Sequence, residues 1–414
     1  MKLVKSLSVI ALGSACIPAI HAVSISDDVV KLGVGVRLQT RAQVADSDAA
    51  NGDEFNVQNG GTGSNDPVDF SIRRARLMFT GSYGADWKFN ATLQNDNVDN
   101  TGASNANRAT AIRYAWVERA FKMDGDMAHL VKVGLDKPFF NAADVMSSSR
   151  MLFPTKPATD SATPSTMRPR GVGLSYKFAH PMFIIGADIQ NNVTAKPATG
   201  FFGNAEAQDI DEGLFYSARA EFTPLFDAEW FDAKRSESYV GKEGHHLMIG
   251  LKYGANDEAI GGAATVSRTL TTTTGYGADV LFHWNQITFS GDYFAFNTEV
   301  EAANTPTTVV ETDVDSQVIS AQVGYAFPLG GDYVLEPALR YAIIDLDTDI
   351  DNVATNYSGV ADAEHGLSGD EIEVGLNLYL DGHNNKLSLA YSMWNAEDGD
   401  ADANVVRLQH QLNF

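Results

Sequence analysis

From Val30 to Gln39 the chain alternates without a break. Val30, Leu32, Val34, Val36 and Leu38 are apolar, and Lys31, Gly33, Gly35, Arg37 and Gln39 stand between them. Period two marks a strand with one oily and one wet face. Leu247, Ile249, Leu251 and Tyr253 oppose His246, Met248, Gly250 and Lys252 in the same way. So do Ile372, Val374, Leu376, Leu378 and Leu380 against Glu371, Glu373, Gly375, Asn377 and Tyr379. The last ten residues set Val406, Leu408, Leu412 and Phe414 against Arg407, Gln409, Gln411 and Asn413. Followed along the chain, this pattern predicts sixteen strands, near 29–43, 68–82, 85–95, 109–121, 128–136, 169–179, 181–192, 213–222, 244–254, 268–282, 286–299, 314–327, 332–346, 368–380, 384–395 and 404–414. The edge strand of a soluble sandwich would explain the alternation. The terminal aromatic fits an outer-membrane barrel better, because there the ring sits in the interface girdle.

The connections alternate as well. Tyr83-Gly84, His180, His283-Trp284-Asn285, Pro328 to Gly331 and Asp381-Gly382-His383 are tight and turn-like. Between them fall long polar stretches at 44–67, 137–168, 193–212, 300–313 and 347–367. Short periplasmic turns and long outer loops are the barrel signature, and an even strand count returns both ends to the periplasmic side. One connection breaks the rule. Segment 223–243, with Pro224, Trp230 and Phe231, is long where a short turn is due, and predicts a structured periplasmic excursion with helix as a candidate.

Composition narrows the class. Beyond the N-terminus no apolar run reaches 18 residues and mean hydropathy is −0.16, which excludes a helical membrane protein. The 414 residues carry 36 Gly, 22 Phe and 14 Tyr but only 13 Pro, and no linker divides them, so one barrel over 23–414 is expected. Lys2 and Lys5, the apolar run Leu7 to Ile20 and the small residue Ala22 read as a secretory signal over 1–22. The single cysteine, Cys16, lies inside it; a lipoprotein anchor there would want a large apolar residue where Gly13-Ser14-Ala15 stand. A chain without further cysteine has neither disulfides nor a thiolate metal site. The expected partners are outer-membrane lipid and lipopolysaccharide, and the barrel-assembly machinery acting on the strand that ends at Phe414. Nothing suggests nucleic acid.

The formal charge of −23 argues against anions until the charges are placed. Eight outer loops (44–67, 96–108, 137–168, 193–212, 255–267, 300–313, 347–367 and 396–403) hold 27 Asp/Glu and six Lys/Arg. Four of those six, Lys137, Arg150, Lys156 and Arg168, fall in 137–168, which has only Asp144 and Asp160. This third loop is the longest and the only one of net positive charge. Its prolines and the apolar run Met146 to Phe153 suit a loop that folds inward and narrows a pore. The lumen phase of the strands adds Lys31, Arg37, Arg41, Arg74, Arg76, Arg113, Arg119, Lys132, Lys177 and Arg219, all in the first half of the chain's strands. Lines of guanidinium groups in a narrow pore attract anions, and arginine matches phosphate oxygens bidentately. The alternative is that these cations pair with lumen acids such as Glu118 or Asp136 and only stiffen the wall. Arg73 falls in the other phase, where it would snorkel beside lipid-facing Ala75, Leu77 and Phe79.

Other chemistry is thin. Asp345 to Asp351 fails as an EF-hand, since Ile350 stands where glycine is needed and Asn356 where a bidentate acid is needed. Asp398, Asp400 and Asp402 read as a solvated loop tip. His245-His246 has no convincing partner, and no nucleophile elbow, zincin motif or P-loop occurs. An outer-membrane barrel enzyme and an adhesin or receptor barrel are the competing classes, and conductance by the purified protein would separate a pore from both.

Phe70-Ser71-Ile72-Arg73-Arg74-Ala75-Arg76-Leu77, Asp86-Trp87-Lys88-Phe89, Ala115-Trp116-Val117-Glu118 and Val131 to Phe139 resemble the phosphate-selective porin O and P family, with Ser147-Ser148-Ser149 at that family's serine-rich step. The likeness is good over about 68–180 and diffuse beyond. It implies a sixteen-stranded antiparallel β-barrel of the outer membrane, usually a homotrimer, passing phosphate or polyphosphate along lumen arginines and lysines. The expectation is a passive diffusion channel for small anions with no cofactor and no catalysis. Its anion path runs over Arg37, Arg74, Arg76, Arg113, Lys132, Arg150, Lys156 and Arg168. A general or cation-preferring porin is the alternative.

Overall fold

A computed structural model describes residues 23–26, 29–47, 69–99, 110–124, 126–156, 167, 170–191, 213–225, 236–261, 269–305, 308–346, 368–397 and 402–414. The strands are β1 (Val23–Ser26), β2 (Val30–Ser47), β3 (Asp69–Tyr83), β4 (Trp87–Asp99), β5 (Ala111–Lys122), β6 (Ala128–Leu135), β7 (Val172–His180), β8 (Phe183–Asn191), β9 (Leu214–Leu225), β10 (His245–Gly261), β11 (Thr269–Trp284), β12 (Ile287–Thr305), β13 (Thr308–Tyr325), β14 (Phe327–Gly330), β15 (Tyr333–Leu346), β16 (Gly369–Asp381), β17 (Asn385–Ala396) and β18 (Ala403–Asn413). Each predicted strand is present. β14 continues the stave of β13 past Ala326, and β1 lines β2 at Lys31–Val34, beside the stretch Arg37–Ser47 that β18 covers. The wall therefore has sixteen antiparallel staves.

Pairing of β9 with β10 joins the two halves, and pairing of β18 with β2 closes the ring. At the seam Val36 and Phe414 exchange both main-chain hydrogen bonds at 2.9 Å. Closure leaves no open sheet edge, which is what allows strands to cross lipid. No helix among the described residues is long and apolar enough to cross a membrane.

Burial is inverted relative to a soluble protein. Leu251 is 59% exposed while its neighbour Lys252 is 4% exposed, so the oily phase faces lipid and the polar phase faces the interior. Exposed Tyr253, Tyr276, Tyr341 and Tyr391 mark one rim, and Tyr83, Trp87, Phe121, Trp284, Tyr325 and Tyr333 the other. These are the aromatic girdles.

Two expectations are corrected. Segment 300–313 is not a loop: β12 runs to Thr305 and β13 starts at Thr308, with Thr305 opposite Thr308. Likewise β10 reaches Gly261, well into the stretch 255–267. A span needs only about 9–11 residues, and β12 has 19. The surplus stays paired as strand out to Thr305 and Thr308, in a stretch whose threonines and valines favour strand over coil. Its polar run between two strands, in step with the alternation of short and long connections, is what suggests a loop.

Candidate functional site

After β6 the chain turns into the lumen. Pro138, Phe139, Phe140 and Asn141 are buried, a short helix α1 (Ala142–Val145) follows, and Met151 to Pro154 are buried again. The loop docks on the inner faces of β7 to β10, β12, β13 and β15 to β18. Phe140 meets Phe215 and Phe294 edge-on at 5.7 and 5.5 Å, in a cluster that includes Met167, Phe296, Val318, Ile344 and Trp394. Leu152 and Phe153 pack with Ala338 and Ala390.

Glycines on the wall make room for these rings. A Cβ on Gly375 would lie 2.8 Å from the Phe153 ring, and one on Gly254 2.9 Å from Phe140. Gly375→Leu is therefore expected to displace the loop and to destabilise the barrel by about 1–3 kcal/mol. The check is the thermal midpoint at which detergent-folded protein loses its compact electrophoretic mobility.

Polar contacts fix the loop's height. Loop carbonyls accept from wall side chains, among them Met151 from Lys386 at 2.8 Å, Leu152 from Asn377 at 2.7 Å, Pro154 from Arg41 at 2.7 Å and Thr155 from Arg340 at 3.1 Å. On the side facing β2 and β3, the Arg37 guanidinium donates to Ser147, Ser148 and Ser149 at 3.1–3.2 Å and to Asn413 at 2.9 Å. Arg76 donates to the same Ser148 hydroxyl at 3.3 Å. Two guanidinium groups thus converge on one hydroxyl beside two more.

The other predicted residues divide. Arg74 is buried in the lumen and donates to Gln39 at 2.6 Å, and Arg113 donates to Gln94. Lys132 follows the stiffening alternative, held by Asp136 at 2.7 Å and Glu118 at 3.9 Å. Arg150 and Lys156 lie on the inward loop; the carbonyl of Lys156 accepts from Arg340. Arg168 lies outside the described residues. Arg119 corrects the sequence reading. It shares the outward phase with Val117 and Phe121, and its guanidinium sits 5.1 Å from Trp87 and 4.6 Å from Phe121. Its charge lodges in the girdle, not in the lumen, because only the apolar stem faces lipid.

Basic lumen residues are also not confined to the first half. Arg340 contacts Glu373 and lies 3.5 Å from Glu371, Arg407 lies 3.7 Å from Glu373, and Lys252 lies 2.6 Å from Asp292. Arg219 grips Asp279 through two nitrogens at 2.6 and 2.7 Å and reaches Glu221 at 2.8 Å. Alternation alone could have found Lys252, Arg340 and Arg407, since each stands between two lipid-facing residues. What it could not show is that the loop covers them. Arg219, Lys252, Arg340 and Arg407 are buried in ion pairs while Lys386 is held by the Met151 carbonyl, and removing one partner of a buried pair costs roughly 3–5 kcal/mol. Arg340→Ala is expected to cost that much in a urea titration of the refolded barrel; a change below about 1 kcal/mol would mean that this pair is dispensable.

A closed sixteen-stave barrel with aromatic girdles and a loop lodged in its lumen defines an outer-membrane porin, a passive channel of the Gram-negative outer membrane. The sequence model of the family Phosphate-selective porin O and P matches residues 47–414, and the chain belongs to that family. Among solved structures the chain is similar to OmpT, an outer membrane protein of Vibrio cholerae. The loop L8 deletion mutant is 11% identical with a TM-score of 0.51, over 94% of this chain and 100% of that one. The trimer form of in-vitro folded OmpT is 11% identical with a TM-score of 0.50, over 94% and 100%. An anion-selective porin from Comamonas acidovorans is 13% identical with a TM-score of 0.47, over 93% and 100%. No curated protein matches the sequence.

Proposed function

We propose that this porin passes small anions of the phosphate and polyphosphate class, along the face formed by β2 to β5 and the inward third loop. The observation that carries the reading is the convergence of Arg37 and Arg76 on Ser148, flanked by Ser147 and Ser149. Phosphate offers several acceptor oxygens, which suits two forked guanidinium donors and a row of hydroxyls. Arg74 and Arg113, buried in the same inner wall, extend the basic surface along the pore. Residues 137–156 act as the constriction. Arg150 and Lys156 add charge to its edge, and Lys132 holds its stem through Asp136. Lipid, lipopolysaccharide and two further copies of the chain surround the barrel; the trimeric form of OmpT supports that assembly. Residues 1–22 act as the export signal.

A cation-preferring reading draws on one observation. The acids Asp279, Asp292, Glu371 and Glu373 line the opposite wall. Each of them faces a cation there, so the uncovered face decides. The test is the reversal potential of purified protein in a planar bilayer under a KCl gradient, repeated with added phosphate. Chloride preference with block by low phosphate is expected. Potassium preference would overturn the anion reading, and chloride preference without block would leave an anion pore with no phosphate site.

A further inference from the structure

Of the connection expected as a periplasmic excursion, residues 226–235 lie outside the described residues, and the part that follows them turns into the barrel. Where it becomes described again, Ser236, Glu237, Ser238 and Tyr239 are all buried. Tyr239 packs with Met248 and Leu281, with its ring 4.6 Å from that of His283. These wall residues point inward, so the segment lies within the barrel. Its backbone and side chains then meet the third loop, which arrives from the opposite mouth. The Glu237 carboxylate accepts from the Leu152 amide at 2.8 Å, and the Glu237 amide donates to the Arg150 carbonyl at 3.1 Å. The Ser236 hydroxyl reaches that carbonyl at 3.5 Å.

We infer that Glu237 is a positioning residue for the constriction: by clasping Arg150 and Leu152 from the periplasmic side, it sets how deep the third loop sits and so the width of the pore. This rests on the reading of that loop as the constriction.

Three observations support the role. Glu237 grips the main chain, so it acts on the loop's position whatever side chains the loop carries. The clasp is itself anchored, because the carbonyl of the next residue, Ser238, accepts from His383 at 2.9 Å in the turn between β16 and β17. Burial, followed by Lys386, pushes His383 down to about 3, so the ring is neutral at any physiological pH and remains a donor there. Finally, burial pushes the Glu237 carboxyl above the usual range, with the Leu152 amide pulling it back. A carboxyl held buried at that cost, with its amide paired to the same loop, marks a specific attachment.

The loop is fixed from several sides, through Arg37, Arg41, Asn377 and Lys386 as well. Loss of the Glu237 clasp should therefore loosen the loop without releasing it. The experiment compares Glu237→Ala and Glu237→Gln in full-length protein by single-channel recording, beside a deletion of 146–156. Alanine is expected to raise the frequency of upward conductance steps about tenfold, equivalent to ~1.4 kcal/mol. Glutamine, which keeps an acceptor oxygen for the Leu152 amide, should restore the quiet wild-type trace. Reversal potential should not change in either, which separates positioning from a charge effect. If the deletion widens the pore while alanine behaves as wild type, Glu237 does not position the loop. If the deletion changes nothing, the constriction reading fails and this inference fails with it. Should alanine not fold, amide exchange over 150–154 in the wild-type protein decides: slow exchange at Leu152 is required, and exchange at the rate of an open loop overturns the clasp.

Discussion

Replacing Arg74 and Arg76 together by glutamate is expected to turn the channel from anion-preferring to cation-preferring. Both side chains lie in the lumen phase of β3, and Arg76 reaches the serine step directly. A unit charge about 4 Å from an ion is worth roughly 1 kcal/mol in bulk water and about 4 kcal/mol at an effective dielectric near 20. Reversing the sign doubles that difference, and each ~1.4 kcal/mol is a factor of ten. The chloride-to-potassium permeability ratio should therefore fall at least about tenfold and pass through unity. The effect should be largest in dilute salt and shrink near 1 M, where the Debye length is about 3 Å. Retention of compact electrophoretic mobility establishes that the barrel has folded. A folded variant with unchanged reversal potential would remove both arginines from the ion path.

The second large effect concerns size. Deleting 146–156 takes out the serine step and the buried run Met151 to Pro154, which fills the lumen beside β15 to β18. Single-channel conductance should rise severalfold, and passage of larger solutes in a liposome-swelling assay should follow. The buried cations Arg340 and Arg407 would then meet solvent with their acids, so phosphate block should be lost rather than moved. Unchanged conductance would mean that the loop does not limit flow.

The barrel was legible because membrane strands must satisfy two solvents at once. Val30 to Gln39 and Ile372 to Leu380 could alternate only as they do, and every stave followed from that rule. The loop's inward course was legible in part. Met146 to Phe153 is too apolar for an outer loop, and the glycines at 254 and 375 that receive its rings can be understood only when the opposite wall is known. Arg119 was misjudged because β-alternation is read relative to neighbours, and a bulge between β4 and β5 at Thr92/Leu93 disturbs the count upstream of it. The covered pairs of Arg340 and Arg219 join residues far apart in sequence, and no local pattern announces them. Glu237 was hidden for the same reason: its partner lies 85 positions away.

The seam between β2 and β18 carries a kinetic consequence. Arg37 and Asn413, bonded across it, are 376 residues apart. Bringing such distant segments together carries a large loop-closure entropy, and contacts of this separation form late. The third loop touches both sides of that join, through Arg37 and through Gln411, whose amide donates to the Ser149 carbonyl at 3.0 Å. Its serines therefore find their final partners only after the cylinder has shut. Selectivity should accordingly be the last property this protein acquires during assembly, appearing after the channel itself.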